Sequence, residues 1–234
     1  HGQEDLVNEC LASLAKHCSP DRIAVTVTHN IAPSIPLVPS PFPVHVLSNS
    51  RPKGFGANHN QAFSWCREHF FCVINPDILL LQDPFDRLIS ALLEDDVGVV
   101  APMLVDSSGK VQDSARKFPT PLRIMTRAIG RKYNSHEYRV HGKRIMPDWV
   151  AGMFMLFSAD QYAAIGGFDE RYFMYCEDAD ICRRLAQKGK NTLLLTDVLA
   201  VHNPRRASHA RLSHLYWHLT SLTRFFLKYP FYTL

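Results

Sequence analysis

Two short polar stretches carry residue types that could do chemistry. In FCVINPDILL (71–80) an apolar run stops for Asn75, Pro76 and Asp77 and resumes at once. Pro76 has a fixed φ and no N–H, so it ends ladder pairing and sets the direction of the next residue. Asp77 would leave the strand end as a carboxylate able to hold a hard divalent cation, with diphosphate oxygens completing its shell. Asn75 adds an uncharged amide that can hydrogen-bond a sugar hydroxyl or a base. A simple turn accounts for the same three residues, since all three are turn formers.

The second stretch is YCEDADICRRL (175–185), with Glu177, Asp178 and Asp180 inside four residues. Acidic residues at a helix start serve as caps and dipole partners. Crowded after the aromatic FDERYFMYC, however, they would repel one another and raise at least one pKa, as a general base requires. Asp180 stands three and four residues before Arg183 and Arg184, the spacing of a structural ion pair. His202 closes the run TDVLAVH, and imidazole is a natural Mn²⁺ ligand and a less natural one for Mg²⁺. Gly54, Gly56, Asn58 and Asn60 form a polar lead-in to a helix, whose backbone N–H groups could cradle phosphate or sugar hydroxyls.

These residues need elements to position them. EDLVNECLASLAKHC reads as an amphipathic helix, with Leu6, Cys10, Leu11 and Leu14 on one face. RIAVTVTHN, PVHVLSN, FFCVIN, VGVVAPMLV, DWVAGMFMLFS and NTLLLTDVLAVH read as strands. GFGANHNQAFSWCREHF, PFDRLISALLED, ADQYAAIGGFDE, YCEDADICRRLAQKG and SHARLSHLYWHLTSLTRFFLKY read as helices, and IAPSIPLVPSPFP as loop. Strand and helix alternate in the first half, which predicts an α/β domain with a mostly parallel sheet flanked by helices. Ligands then bind beyond the carboxyl ends of the strands. Such a sheet normally starts with a strand, so an apolar strand is expected upstream of residue 1. The stretch 202–234 reads as a C-terminal helical extension of this one domain.

At 234 residues, with 46% hydrophobic and 21% charged residues, the chain fits one globular core. The six cysteines form neither a CxxC pair nor a zinc spacing, which predicts reduced, mostly buried thiols in a cytoplasmic protein. Between Lys110 and Arg144 there are ten basic residues and two acidic ones. That segment and the aromatic C-terminal helix, with Tyr216, Trp217, Phe225, Phe226, Phe231 and Tyr232, could meet an anionic membrane surface. Packing on the core, or against a second copy in a homodimer, accounts for the same aromatics. No nucleic-acid motif is present, and the acidic triplet argues against that partner.

In order and spacing, RPKGFGANHNQAF, FCVINPD, VGVVAPMLVDSSGKVQDSARKFPT, DWVAGMFMLFS, GGFDERYFMYCEDADICRRL and AVHNP resemble the inverting family 2 glycosyltransferases, and most of all their rhamnosyltransferase-like branch. The resemblance implies a single Rossmann-like GT-A domain that binds a nucleoside diphosphate sugar, with dTDP-rhamnose as the favoured donor and UDP sugars as the open alternative. It implies that Asn-Pro-Asp replaces the family's DxD motif, with Asp77 holding a divalent cation (Mg²⁺ or Mn²⁺) assisted by His202. It implies that Asp178, in its pair with Glu177, is the catalytic base. His29-Asn30 stands where the family usually has an Asp-Asn pair, and Asn30, Gly54, Asn58, Asn60, Asn75, Asp77 and Arg116 would line the nucleotide sugar. The acceptor would be a saccharide or lipid-linked saccharide of cell-surface polysaccharide synthesis, reached from the inner face of the membrane. The competing readings are a nucleotidyltransferase that makes nucleotide sugars, which lacks its expected glycine- and lysine-containing signature here, and a non-catalytic glycosyltransferase-like binding module.

Overall fold

The structure is a computed structural model and describes residues 2–124, 137–138, 142–203 and 212–230. In chain order the elements are α1 (Glu4–His17), β1 (Val25–His29), β2 (Val44–Ser48), α2 (Phe55–Phe63), β3 (Phe70–Ile74), β4 (Ile78–Leu80), α3 (Phe85–Leu92), β5 (Val97–Val105) and β6 (Ala115–Arg116). There follow β7 (Arg144–Ile145), β8 (Trp149–Val150), β9 (Phe154–Ser158), α4 (Ala159–Ala164), α5 (Glu177–Gln187), β10 (Asn191–His202) and α6 (Leu212–Lys228).

The central sheet runs β3-β9-β5-β10-β4, with β7 also paired to β10. It is mixed where the alternation predicted mostly parallel pairing. Only β5 and β10 pair in parallel there; β9 is antiparallel to β3 and β5, and β4 and β7 are antiparallel to β10. The reason lies in the connections. After β5 the chain makes a long excursion and enters β9 antiparallel to β5, so it returns from the end at which it left. β4 likewise follows β3 after one turn, in which Ile78 N–H donates to Asn75 C=O at 3.2 Å.

Val25–His29 pairs only with Val44–Ser48, in parallel, as a separate two-stranded sheet. The strand order therefore breaks between β1 and β3. Helix α2 spans the break, since it packs on β1 and its Phe63 ring lies 5.1 Å from Phe71 on β3.

Two apolar layers cover the central sheet. One holds Val73, Met155, Phe157, Tyr162, Phe168, Tyr172, Ile181 and Phe225, and the other Leu11, Leu14, Ile78, Leu88, Val100, Leu104 and Phe154. All nine residues of β5 are buried, as a central strand covered on both faces must be. The six cysteines are free thiols; Cys10, Cys18 and Cys182 are buried and the others half-buried. Among the described residues no helix is long and apolar enough to cross a membrane. Arg127, Arg131, Lys132 and Arg139 of the basic segment, and Phe231 and Tyr232, lie outside the described residues.

Candidate functional site

Even with mixed pairing, the sheet gathers the C-terminal ends of β3, β5 and β10 at one edge, because those three strands point the same way. The N-terminal starts of β9 and β4 meet them there. At this edge Asp77 Oδ2 lies 3.3 Å from His202 Nε2. The Asp77 carbonyl accepts the Asn203 N–H at 3.0 Å, which ties the turn after β3 to the end of β10. Gln112 Nε2 donates to the His202 carbonyl at 2.9 Å, and its Oε1 meets His202 Nδ1. The imidazole therefore carries a proton on Nδ1 and aims Nε2 at Asp77. A neutral Nε2 is an acceptor, and two acceptors face each other unless a proton or a cation stands between them. Asp77 Oδ1 is buried with no hydrogen-bond partner. That orphaned oxygen and the Nε2 lone pair fit a divalent cation. The described residues hold no cluster of three or more such ligands, so water or diphosphate oxygens would complete the shell.

From Asp77 a short path leads to the acidic pair. Asn75 N–H donates to Met153 C=O at 2.9 Å, and the N–H of the adjacent Gly152 donates to Asp178 Oδ2 at 3.0 Å. Asp178 Oδ1 accepts the Ala179 N–H at 2.8 Å. Desolvation pushes the Asp178 carboxyl above the ordinary aspartate range, while the Gly152 and Ala179 N–H groups and the Arg116 guanidinium pull against that shift. Glu177 is buried, and its Oε2 has no hydrogen-bond partner. Its carboxyl is pushed well above the usual glutamate value, first by burial and then by the Asp178 charge. The two neighbours thus differ: Asp178 is half-buried with two N–H donors, and Glu177 is sealed in without them.

The remaining predicted residues divide. Arg116 lies on β6 with its guanidinium 5.4 Å above the Trp149 ring and 3.1 Å from Asp113 Oδ2, close enough to act on Asp178 electrostatically. Asn75 sits on the turn beside Asp77. The glycine and asparagine lead-in to α2 is occupied with holding the fold. A Cβ on Gly54 would come within 2.6 Å of the Phe173 carbonyl, and one on Gly56 within 2.7 Å of Phe168 Cβ, so these glycines admit neighbouring chain. Asn60 Oδ1 accepts from Tyr162 OH and Phe168 N–H, and its Nδ2 donates to Phe168 C=O and Glu170 Oε1. Its hydrogen-bonding capacity is filled by protein. Asn30 Oδ1 accepts from Lys53 N–H and Asn49 Nδ2, and Asn49 also donates to Asn58 Oδ1, so these side chains brace the 49–58 loop. Beside them opens a cleft of about 650 Å³ lined by Arg51, Lys53, Gly54, Glu170 and Phe173, next to the acidic edge and not on it.

The model of the "glycosyltransferase like family 2" matches residues 2–216. The chain belongs to this family. The glycosyltransferase is 29% identical over 187 residues to rhamnosyltransferase WbbL of Escherichia coli K12, covering 75% of this chain and 70% of that protein. It is 30% identical over 157 residues to the N-acetylglucosaminyl-diphospho-decaprenol L-rhamnosyltransferase of Mycobacterium tuberculosis, covering 61% of this chain and 51% of that one. The chain thus spans about half the length of the mycobacterial relative. Among solved structures it resembles GalNAc-T7 with UDP, GalNAc and Mn²⁺ (TM-score 0.61, 12% identity, 84% of this chain and 40% of that one). It also resembles the mannosyltransferase PcManGT of Pyrobaculum calidifontis with GDP-Man and Mn²⁺ (TM-score 0.59, 17% identity, 94% and 61%). At these identities the likeness establishes the fold, which is GT-A.

Three features of the glycosyltransferase escape the sequence reading. Gly152 breaks the run DWVAGMFMLFS into β8 and β9 and supplies an N–H to Asp178; an isolated glycine in a strand pattern is the signal for such a break. Gln112 sets the His202 tautomer from 90 residues away, with no local signal. Tyr175 and Cys176 both have left-handed backbone, φ 72° and 66°, just before Glu177. This costs about 1 kcal/mol or more per residue for non-glycines. Contacts from elsewhere hold it: Phe55 N–H donates to Phe173 C=O, Ser221 OH to Met174 C=O, and Tyr175 OH bonds His214 Nδ1 at 2.7 Å while its ring stacks on His218 at 3.5 Å.

Proposed function

We propose that the chain transfers a sugar from a nucleoside diphosphate sugar to a hydroxyl of a saccharide acceptor in cell-surface polysaccharide synthesis, with inversion at the anomeric carbon. The names of the two relatives support rhamnose as the sugar, with dTDP-rhamnose as the donor, and the mycobacterial name supports a lipid-linked diphosphosaccharide as the acceptor.

The reading rests above all on one observation. A half-open carboxylate, Asp178, shares a sheet edge with the Asp77–His202 pair and is joined to it through Asn75, Met153 and Gly152. Asp178 takes the proton from the acceptor hydroxyl as it attacks through an oxocarbenium-like transition state. The Gly152 and Ala179 N–H groups keep Asp178 aimed and favour its ionised form, as a base at neutral pH requires. Glu177 is sealed in, and burial and the Asp178 charge push its carboxyl well above the usual glutamate value, which opposes a second charge beside Asp178. Asp77 and His202 would hold a divalent cation, Mn²⁺ or Mg²⁺, which when bound supplies Lewis-acid stabilisation of the departing diphosphate. Arg116 adds positive charge on the same edge.

The test is a panel of nucleotide sugars offered with Mn²⁺ and a saccharide acceptor, with release of nucleoside diphosphate and the configuration of the product measured. Turnover of dTDP-rhamnose to an inverted glycoside is expected. Retained configuration, or no release from any donor, would sink the reading.

A further inference from the structure

Helix α6 has two faces with different fates. Its inner face is engaged: Ser221, Phe225 and Tyr229 are buried, Trp217 lies 4.9 Å from the Phe173 ring, and Lys228 bonds Asp169 and Asp180. The expectation that the aromatics pack on the core holds for these. The outer face differs, with Leu215, Tyr216, Leu219 and Leu227 each 57–77% exposed. Tyr216, Thr220, Thr223 and Leu227 follow one another at helical spacing and form a single stripe about 16 Å long. With Arg171, Arg224 and Lys228 they line an open groove of about 720 Å³; Arg171 and Lys228 are paired with Asp169, while Arg224 lies over the Tyr172 ring and pairs with no carboxylate among the described residues.

Charge points to what covers this face. The last acidic residue of the chain is Asp197, and the 37 residues after it carry five Lys and Arg and no Asp or Glu. An apolar stripe rimmed by arginine on an amphipathic helix matches a negatively charged bilayer surface, where apolar side chains enter the headgroup–acyl boundary and guanidinium groups meet phosphates. We infer that the outer face of α6 lies in the plane of an anionic membrane, with Tyr216, Leu219 and Leu227 inserted and Arg224 on lipid phosphate. The same helix clasps Tyr175 through His214 and His218, so a docked α6 holds the loop before Asp178 at the membrane. Docking itself is independent of the sugar chemistry; its use for reaching a lipid-linked acceptor rests on the reading above.

The experiment is flotation of the purified chain with phosphatidylcholine vesicles, with and without phosphatidylglycerol. The chain should float with the anionic vesicles, and added salt should weaken this. Leu219→Glu together with Leu227→Glu should lower partitioning about tenfold or more, and Arg224→Gln about fivefold. Transfer to a water-soluble acceptor should be unchanged in these variants. That readout separates failure of docking from failure of the proposed reaction. Absence of flotation with anionic vesicles overturns the inference, as does wild-type flotation of the Leu219/Leu227 double variant. A wild-type dimer in sedimentation velocity that the double variant abolishes also overturns it, since the face would then join two copies of the chain.

Discussion

Two carboxylate pairs stand within twelve residues of each other and are handled in opposite ways. Asp169 and Asp180 are surrounded by cations: Arg171 and Lys228 on Asp169, and Arg184, Lys228 and the Tyr229 hydroxyl on Asp180, which is fully buried. Arg171 first, and then Lys228 against the cost of burial, holds the Asp169 carboxyl well below its ordinary value. Glu177 and Asp178 are also desolvated, yet among the described residues no cation bonds them directly, and both carboxyls are pushed up. Asp178 and Asp180 are one residue apart on α5. One is held by Arg184, Lys228 and the Tyr229 hydroxyl and fastens α6 to α5, while burial pushes the carboxyl of the other up, as a base requires. Residue type and helix position are shared; the partners decide.

The sharpest way to break this comparison is Asp178→Asn. Transfer should fall about a thousandfold in kcat, the upper part of what a general base contributes, with nucleotide binding largely kept. Wild-type turnover would make the two pairs equivalent. Next comes Lys228→Met, which strips a cation from both Asp169 and Asp180. About 3 kcal/mol of stability should be lost, seen as a lower denaturant midpoint, because a buried charge is left short of its partner. Asp77→Ala should weaken Mn²⁺-dependent nucleotide binding about tenfold by calorimetry, and unchanged affinity would count against the cation site.

Glu177→Gln is the finest probe. The folded carboxyl holds its proton more tightly than the unfolded one, so the native state binds more protons across the window above the ordinary glutamate value. Stability of the wild type therefore falls as pH rises through that window. The amide should remove this dependence and leave the variant slightly more stable at neutral pH, as thermal melts across pH would register. For Asp169 the sign reverses: its contribution is present above the ordinary aspartate value and fades as pH drops below it. Transfer should likewise decline on acidification, with a midpoint above the ordinary aspartate value, because Asp178 must be ionised to act.

Much of the fold is legible because local patterns are strong. The β-branched runs become β1, β2, β5 and β10, and the apolar spacing of residues 4–17 becomes α1. Pairing direction is less legible: alternation of strand and helix implies parallel neighbours, but β9 runs antiparallel to β3 and β5. At the site, Asn-Pro-Asp forms the turn, and the same turn sets the Asp77 carboxylate beside His202. The glycines and asparagines before α2 look like a ligand cradle in sequence; in space they fit against the 168–173 loop and each other, and Gly54 and Asn60 also line the cleft of about 650 Å³. Nothing local distinguishes these uses, because a backbone that must approach a phosphate and one that must approach another backbone both require the absence of a Cβ.

By itself the sequence determined which stretches become helix or strand, that acidic groups cluster at 177–180, and that the chain after Asp197 is free of negative charge. Those are properties of side-chain type and spacing, felt over a few residues. Only the tertiary structure decided that Asp77 meets His202, that Gly152 reaches Asp178 while Lys228 reaches Asp180, and that α6 keeps a bare apolar stripe. The physical reason is that desolvation and charge pairing depend on which distant segments arrive at a site, and packing alone settles that.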